Sequence, residues 1–426
     1  MKTHTGGGGM SSSLKNRLQR IREAKKEAGG GELKNKPVLS SNTVPSSASN
    51  RTVKAQRASS SAPGVPAFDK EWVSAGFQTL KRTVEVKISP SVPGEFPASL
   101  GVVIPDINKY AVSAVSNTQA PVKPAAYDLL FFDLETTGLS GGAGTVAFLA
   151  AFGRFTQDQA ESKKTAPSKL TVTQYLLLDY PGENDFITAV LDEFKPAGTA
   201  HEGSAMPPLV VTYNGKSFDS QILKTRCLMN GIIPPEMYHA DLLHPSRRLW
   251  KKVLSNCSQA EIETSILGLD RSGDIPGALA PDIWFDFLKT GGTKRLMGIC
   301  DHNLRDIKGL ASVFTALTGI ADDPIGALDT YRFHVESLAL HWRYAAHKGY
   351  ADHDTAETLL KKAAGQGSHA SIRRLAIDAE WRRGDAEAAL EYTETALQLD
   401  NLSQGYREEM ERRKERLLKK MINHEE

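Results

Sequence analysis

Asp133 and Glu135 stand one residue apart at the end of an apolar run, "LLFFDLE" at 129–135. If that run is a strand, residues i and i+2 share a face, and the two carboxylates project together. Adjacent carboxylates repel unless positive charge sits between them, and hard, oxygen-seeking cations such as Mg2+ or Mn2+ suit that position. The competing reading is that one carboxylate caps the following Thr136-Thr137 turn while the other is merely exposed. Further groups of the same kind occur downstream. "VVTYNGKSFD" puts Asn214 at the end of a fourth strand and Asp219 just past it, at the start of a helix. "DHNLRDIKGL" puts His302 and Asp306 four apart on one helical face, either as part of the same site or as a surface salt bridge.

Basic residues offer a place for the substrate. "HPSRRLWKKVL" reads as a helix begun near Pro245, where Arg247 with Lys251 and Arg248 with Lys252 are i, i+4 neighbours beside Trp250. This stripe predicts phosphate contacts, with Trp250 stacked on a base or, alternatively, turned into the core of a solvated helix. The "SGGAG" segment has neither the P-loop pattern nor a G-x-G-x-x-G leading into a helix. Its glycines fit a tight hairpin or the close approach of a nucleic-acid backbone. "RSGDIPG" at 271–277 reads as a loop between helices, with Asp274 structural and not a ligand.

The elements that position these residues follow from periodicity. "YDLLFFDLE", "TVAFLAAFGRF" and "LTVTQYLLLDY" are three successive strand-like runs, which predicts an antiparallel meander. Phe186, Ile187, Val190, Leu191 and Phe194 then recur at helical spacing. "PLVVTYNG" is a further strand, "SFDSQILKTRCLMNG" a further helix, and 242–318 is mainly helical. The fold class is α/β: a mixed sheet flanked by helices over 127–318. Residues 68–126 form an N-terminal extension with β-like runs, "RTVEVKIS" and "SLGVVIPDI", and no evident chemistry.

The ends of the chain differ from this body. Residues 1–67 are low-complexity and expected to be disordered, apart from a short amphipathic helix at 14–27. They hold 12 Lys/Arg against 3 Asp/Glu, so of the totals of 52 and 50 the remainder keeps 40 and 47, a basic tail on an acidic body. Such a tail attracts nucleic acid, or serves as a solvated appendage or docking segment. Residues 323–426 read as all-helical, and Gly349 and Gly384 lie 35 residues apart, as in two imperfect tetratricopeptide-like hairpins or an ordinary helical cap. Three separated cysteines suggest no disulfide scaffold or zinc site, and no long apolar run suggests a membrane span, so a cytoplasmic protein is expected.

The order of these motifs resembles that of the DEDD exonucleases of the ribonuclease H-like superfamily. "FFDLETTGLSGGAGTVAFLAAFG", "TYNGKSFDSQILKTRC", "DLLHPSRRLWKKVL", "RSGDIPG" and "HNLRDI" are similar, more closely, to the bacterial YprB-type ribonuclease H-like proteins (DnaQ-like), over about 127–318. The resemblance implies Asp133, Glu135, Asp219 and Asp306 as ligands of two divalent ions, Mg2+ or Mn2+, and His302 as the residue that activates water. It further implies a tetratricopeptide-like C-terminal region, able to recruit a protein partner. The implied activity is 3′–5′ exonucleolytic hydrolysis of single-stranded DNA or RNA; a structure-selective endonuclease and a non-catalytic scaffold are the alternatives. Two positions depart from the family. His302 precedes Asp306 by four residues, where His-type exonucleases have five, and Gln259 stands where related sequences tend to have leucine.

Overall fold

The computed structural model describes residues 68–88, 96–97, 99–110, 129–138, 142–156, 169–195 and 207–425. The basic tail and the helix expected at 14–27 lie outside these residues. Contacts divide the chain into Met1–Pro66 and Ala67–Glu426, and every described residue belongs to the second unit.

A seven-stranded sheet carries the unit, in the order β1-β2-β5-β4-β3-β6-β7. Its strands are β1 (Val73–Gly76), β2 (Thr79–Lys87), β3 (Leu129–Thr136), β4 (Ala147–Thr156), β5 (Lys169–Leu177), β6 (Leu209–Thr212) and β7 (Tyr238–Asp241). β3, β4 and β5 form the expected antiparallel meander, while β6 runs parallel to β3 and β7 parallel to β6. β2 adds to β5, so part of the N-terminal extension is sheet. The second β-like run of that extension is instead a helical turn, α1 (Leu100–Val103), with all four residues buried. Its Val-Val-Ile composition favours a strand, but packing against a helix decides otherwise.

Alternation along β3 explains the two cores. Leu129 and Phe131 face one apolar layer, and Leu130, Phe132 and Leu134 face the other. Between the later strands lie α2 (Glu183–Asp192) and α3 (Asp219–Met229), and after β7 come α4 (Leu243–Trp250), α5 (Gln259–Ser265), α6 (Ala280–Thr290) and the long α7 (Thr293–Asp322). α7 is central to the site. Its Leu296, Ile299 and Cys300 pack in the Phe132 layer, and its Leu304, Ile307, Leu310 and Phe314 in the Phe131 layer, with the polar residues 301–303 at the changeover. Gly153 of β4 makes the close docking of α7 possible, since a Cβ there would lie 2.7 Å from Ile307 Cγ2.

C-terminal helices complete the unit: α8 (Ala327–Thr330), α9 (Val335–His347), α10 (His353–Gly365), α11 (His369–Asp378), α12 (Ala386–Leu397) and α13 (Gln404–Glu425). Gly349 and Gly384 both adopt left-handed φ, 76° and 70°, after α9 and after the π-helical turn Ala379–Arg383. Among the described residues, no helix is long and apolar enough to cross a membrane.

Candidate active site

Asp133 and Glu135 sit on the same face near the end of β3, partly exposed between buried neighbours. α7 brings His302 and Asp306 against them. His302 Nε2 lies 3.3 Å from Asp306 Oδ2 and 3.9 Å from Glu135 Oε1. One ligand atom from each of Glu135, His302 and Asp306 falls within 4.8 Å of the other two. The four-residue spacing thus places the ring and the carboxylate side by side, and both are mostly shielded from solvent. Asp133 meets the same helix one residue after His302, where its Oδ2 accepts a hydrogen bond of 2.8 Å from Asn303 Nδ2.

The loop at 271–277 closes over this group, although its sequence predicts only a connector. Asp274 Oδ1 lies 2.9 Å from His302 Nδ1, close but misaligned for a well-directed hydrogen bond. Burial opposes ionisation of Asp274, yet His302 and Arg271 outweigh it and hold the carboxyl below its usual range. A negative charge beside Nδ1 favours the tautomer protonated there, leaving the Nε2 lone pair toward Glu135 and Asp306. Arg271 reaches three carboxylates: Asp306, Asp274 at 2.9 Å and Glu263 at 3.0 Å. Burial works against its charge, but Asp306 and Glu263 outweigh it and keep the guanidinium protonated. Glu263 itself is pushed up to about 7 by burial, against the pull of Arg271. Gln259 has a place here too: its Nε2 donates to the Asp306 backbone carbonyl at 2.7 Å and to Glu263 at 2.8 Å.

Asp219 opens α3 and is buried. The parallel pairing of Phe131 with Val211 places the start of α3 at the same sheet end as Asp133. Asn214 adopts φ 69°, and its backbone N–H donates to Asp241 Oδ1 at 2.8 Å. Asp241 also accepts from the backbone N–H groups of Lys216 at 3.3 Å and Leu243 at 3.1 Å, which fixes the turn between β6 and α3. Its role needs the strand β7, four residues long and hidden in the sequence because its pattern is half polar. On the other side, Arg226 of α3 pairs with Glu183 through two bonds of 2.5 Å and donates to the carbonyl of Ala143, which holds the chain just before β4.

The basic stripe follows α4. Arg247, Arg248, Lys251 and Lys252 lie along and just past α4, which ends at Trp250, so the lysines fall in the next turn. Lys252 Nζ is 3.4 Å from Glu336. Trp250 does not present its ring to a base: it is fully buried and stacked on Phe333, 6.0 Å between centroids at 12°. The short amphipathic helix turns Leu249 and Trp250 inward together, and burial of the indole wins over display.

The donor set suits a hard divalent ion. Glu135, Asp306 and the adjacent Asp133 offer carboxylate oxygens, the donors such an ion prefers, while the His302 nitrogen beside them is left to accept a proton. Residues 130–318 match the family model described as the RNase_H superfamily. The chain is 34% identical over 239 residues to protein YprB of Bacillus subtilis (strain 168), a stretch that is 55% of this chain and 52% of that protein. It therefore spans about half the length of this curated relative.

Proposed function

Residues 130–318 are a ribonuclease H superfamily domain, and from that premise we propose that the chain is a metal-dependent nuclease acting on single-stranded DNA or RNA, removing nucleotides from the 3′ end. The observation that carries the reading is the approach of Glu135, His302 and Asp306 from two distant segments to within 4.8 Å of one another. In this reading Asp133, Glu135, Asp219 and Asp306 would hold two divalent ions, Mg2+ or Mn2+. Such ions, when bound, supply positive charge against the negative charge that phosphodiester hydrolysis develops on the attacking and leaving oxygens.

The remaining steps belong to the chain. His302 takes a proton from the attacking water at Nε2, the ring nitrogen that faces Glu135 and Asp306. Asp274 keeps that ring oriented, and the loop at 271–277 excludes bulk water from one side. Asn214, Arg247, Arg248, Lys251 and Lys252 are the phosphate contacts of the proposal; such contacts position a strand without reading its sequence.

The test is cleavage of labelled single- and double-stranded DNA and RNA in Mg2+ or Mn2+, comparing wild type with Asp133→Ala. Loss of cleavage in a variant that still melts cooperatively is expected, with wild type releasing labelled mononucleotides from a 3′-labelled single strand. Undiminished cleavage by Asp133→Ala rejects the site, and internal fragments reject exonucleolytic action in favour of an endonuclease.

A further inference from the structure

Arg82 of the N-terminal hairpin is buried, and so are the two amides beyond it, Gln174 and Asn303. Three buried polar side chains in one line need an explanation, because each must find partners or cost stability. Strand register gives the line. Arg82 pairs with Gln174 across β2 and β5, Gln174 with Ala151 across β5 and β4, and Ala151 with Asp133 across β4 and β3. All four therefore lie in one row across the sheet, on one face, spanning roughly 14 Å at the usual strand spacing. Ala151 is the small member of the row. Asn303 descends from α7 between Gln174 and Asp133 and bonds to both.

The chemistry of the donors fixes the direction of this line. Arg82 donates twice to Gln174 Oε1, from Nε at 3.0 Å and Nη2 at 2.7 Å, and a guanidinium has no acceptor to offer in return. The Gln174 amide is thereby locked with its nitrogen toward α7, where it donates to the Cys300 carbonyl at 2.7 Å and to Asn303 Oδ1 at 3.0 Å. With Oδ1 engaged, Asn303 must present N–H and not C=O to Asp133, at 2.8 Å. A reversed Asn303 would set oxygen against a carboxylate and nitrogen against nitrogen. Arg82 is itself held by Asp301 at 3.3 Å and lies over the Trp72 ring at 5.1 Å.

We propose that Arg82, Gln174 and Asn303 are positioning residues for the metal ligand Asp133, so that the N-terminal hairpin, outside the family match, is part of the metal-binding apparatus. This inference rests on the reading of Asp133 as a metal ligand. The pattern is that of an outer-shell partner, which fixes one carboxylate oxygen and thereby aims the other.

The experiment measures Mn2+ affinity of the full chain by titration calorimetry, without substrate, and thermal melting in chelator. Wild type, Asp133→Ala, Asn303→Leu, Arg82→Met and Arg82→Lys are compared. Asn303→Leu and Arg82→Met are expected to weaken Mn2+ binding roughly 10- to 100-fold while still folding, as outer-shell losses do. Arg82→Lys, which keeps a charged donor for Gln174, should recover most of the affinity. A merely structural role would lower the melting temperature and leave the affinity of the folded protein unchanged. Should Asn303→Leu fail to fold, Arg82→Met decides, since it touches nothing in the site. Mn2+ binding that Asp133→Ala removes but both other losses leave intact overturns this inference alone. Absence of Mn2+ binding in the wild type, or its survival in Asp133→Ala, overturns the metal reading and this inference with it.

Discussion

Gly277 offers a perturbation whose effects on stability and on chemistry should part company. A Cβ at this position would lie 2.8 Å from His302 Nε2 and 3.7 Å from Glu135 Oε1. An ordinary contact begins near 3.4 Å, so the ring or the loop must give by about 0.6 Å. The ring has little room to retreat, with Asp274 Oδ1 at 2.9 Å on its far side and only 12% of the side chain exposed. The backbone at 277 is not in the left-handed region, so alanine carries no conformational strain there. Narrowing the unfolded ensemble even favours Gly277→Ala by about 0.4–1 kcal/mol. Stability should therefore change by no more than about 1 kcal/mol in either direction. Catalysis is less forgiving, because a misplacement on the order of 1 Å costs about 100-fold, and half of that displacement should cost about 10-fold in rate. The assay is single-turnover cleavage at saturating Mg2+, with Gly142→Ala as control, where an added Cβ meets nothing within 4 Å. A Gly277→Ala rate within twofold of both wild type and control, with an unchanged melting temperature, would refute the placement of His302 at the reacting atoms.

Two further outcomes arise from buried charge. Arg226→Met leaves the largely shielded Glu183 without its guanidinium and frees the turn at Ala143, and should cost about 3 kcal/mol in urea unfolding; a loss under 1 kcal/mol would show that the pair is not a tie between α2 and α3. Burial pushes His239 down to about 4 from 6.5. Because the folded value lies below the unfolded one, the neutral ring's contribution is complete above pH 6.5 and lost as pH falls toward 4, up to about 3 kcal/mol. Unfolding free energies of wild type and His239→Gln measured from pH 7 to 4.5 should converge toward the acid end; parallel curves contradict the assignment.

Local pattern makes some of this molecule legible and not the rest. The apolar run of β3 and the meander after it can be read directly, because strands buried on both faces announce themselves by composition. β7 cannot: Tyr238, His239 and Asp241 look like loop, and the strand exists through pairing with β6. Arg82 does leave a trace. In "RTVEVKIS" it shares a strand face with Val84 and Val86, the apolar side, where an unpaired arginine would be costly. Its partners Gln174 and Asn303 leave none, since each lies in an otherwise ordinary stretch and the line they form exists only once four strands are side by side. Asp274 looks merely structural in the sequence for a related reason: its partner is 28 residues on, and only the closing of the loop reveals it.

The attachment of β2 to β5 sets a limit on how far the domain can be trimmed. A fragment starting at residue 130, where the family match begins, would strip β5 of a nine-residue ladder and leave its N–H and C=O groups as a bare edge. Such an edge recruits other chains, and Gln174 would meet water where it now meets a cation. Minimal fragments cut at the homology boundary should therefore clump on purification, and those that remain dispersed should chelate poorly.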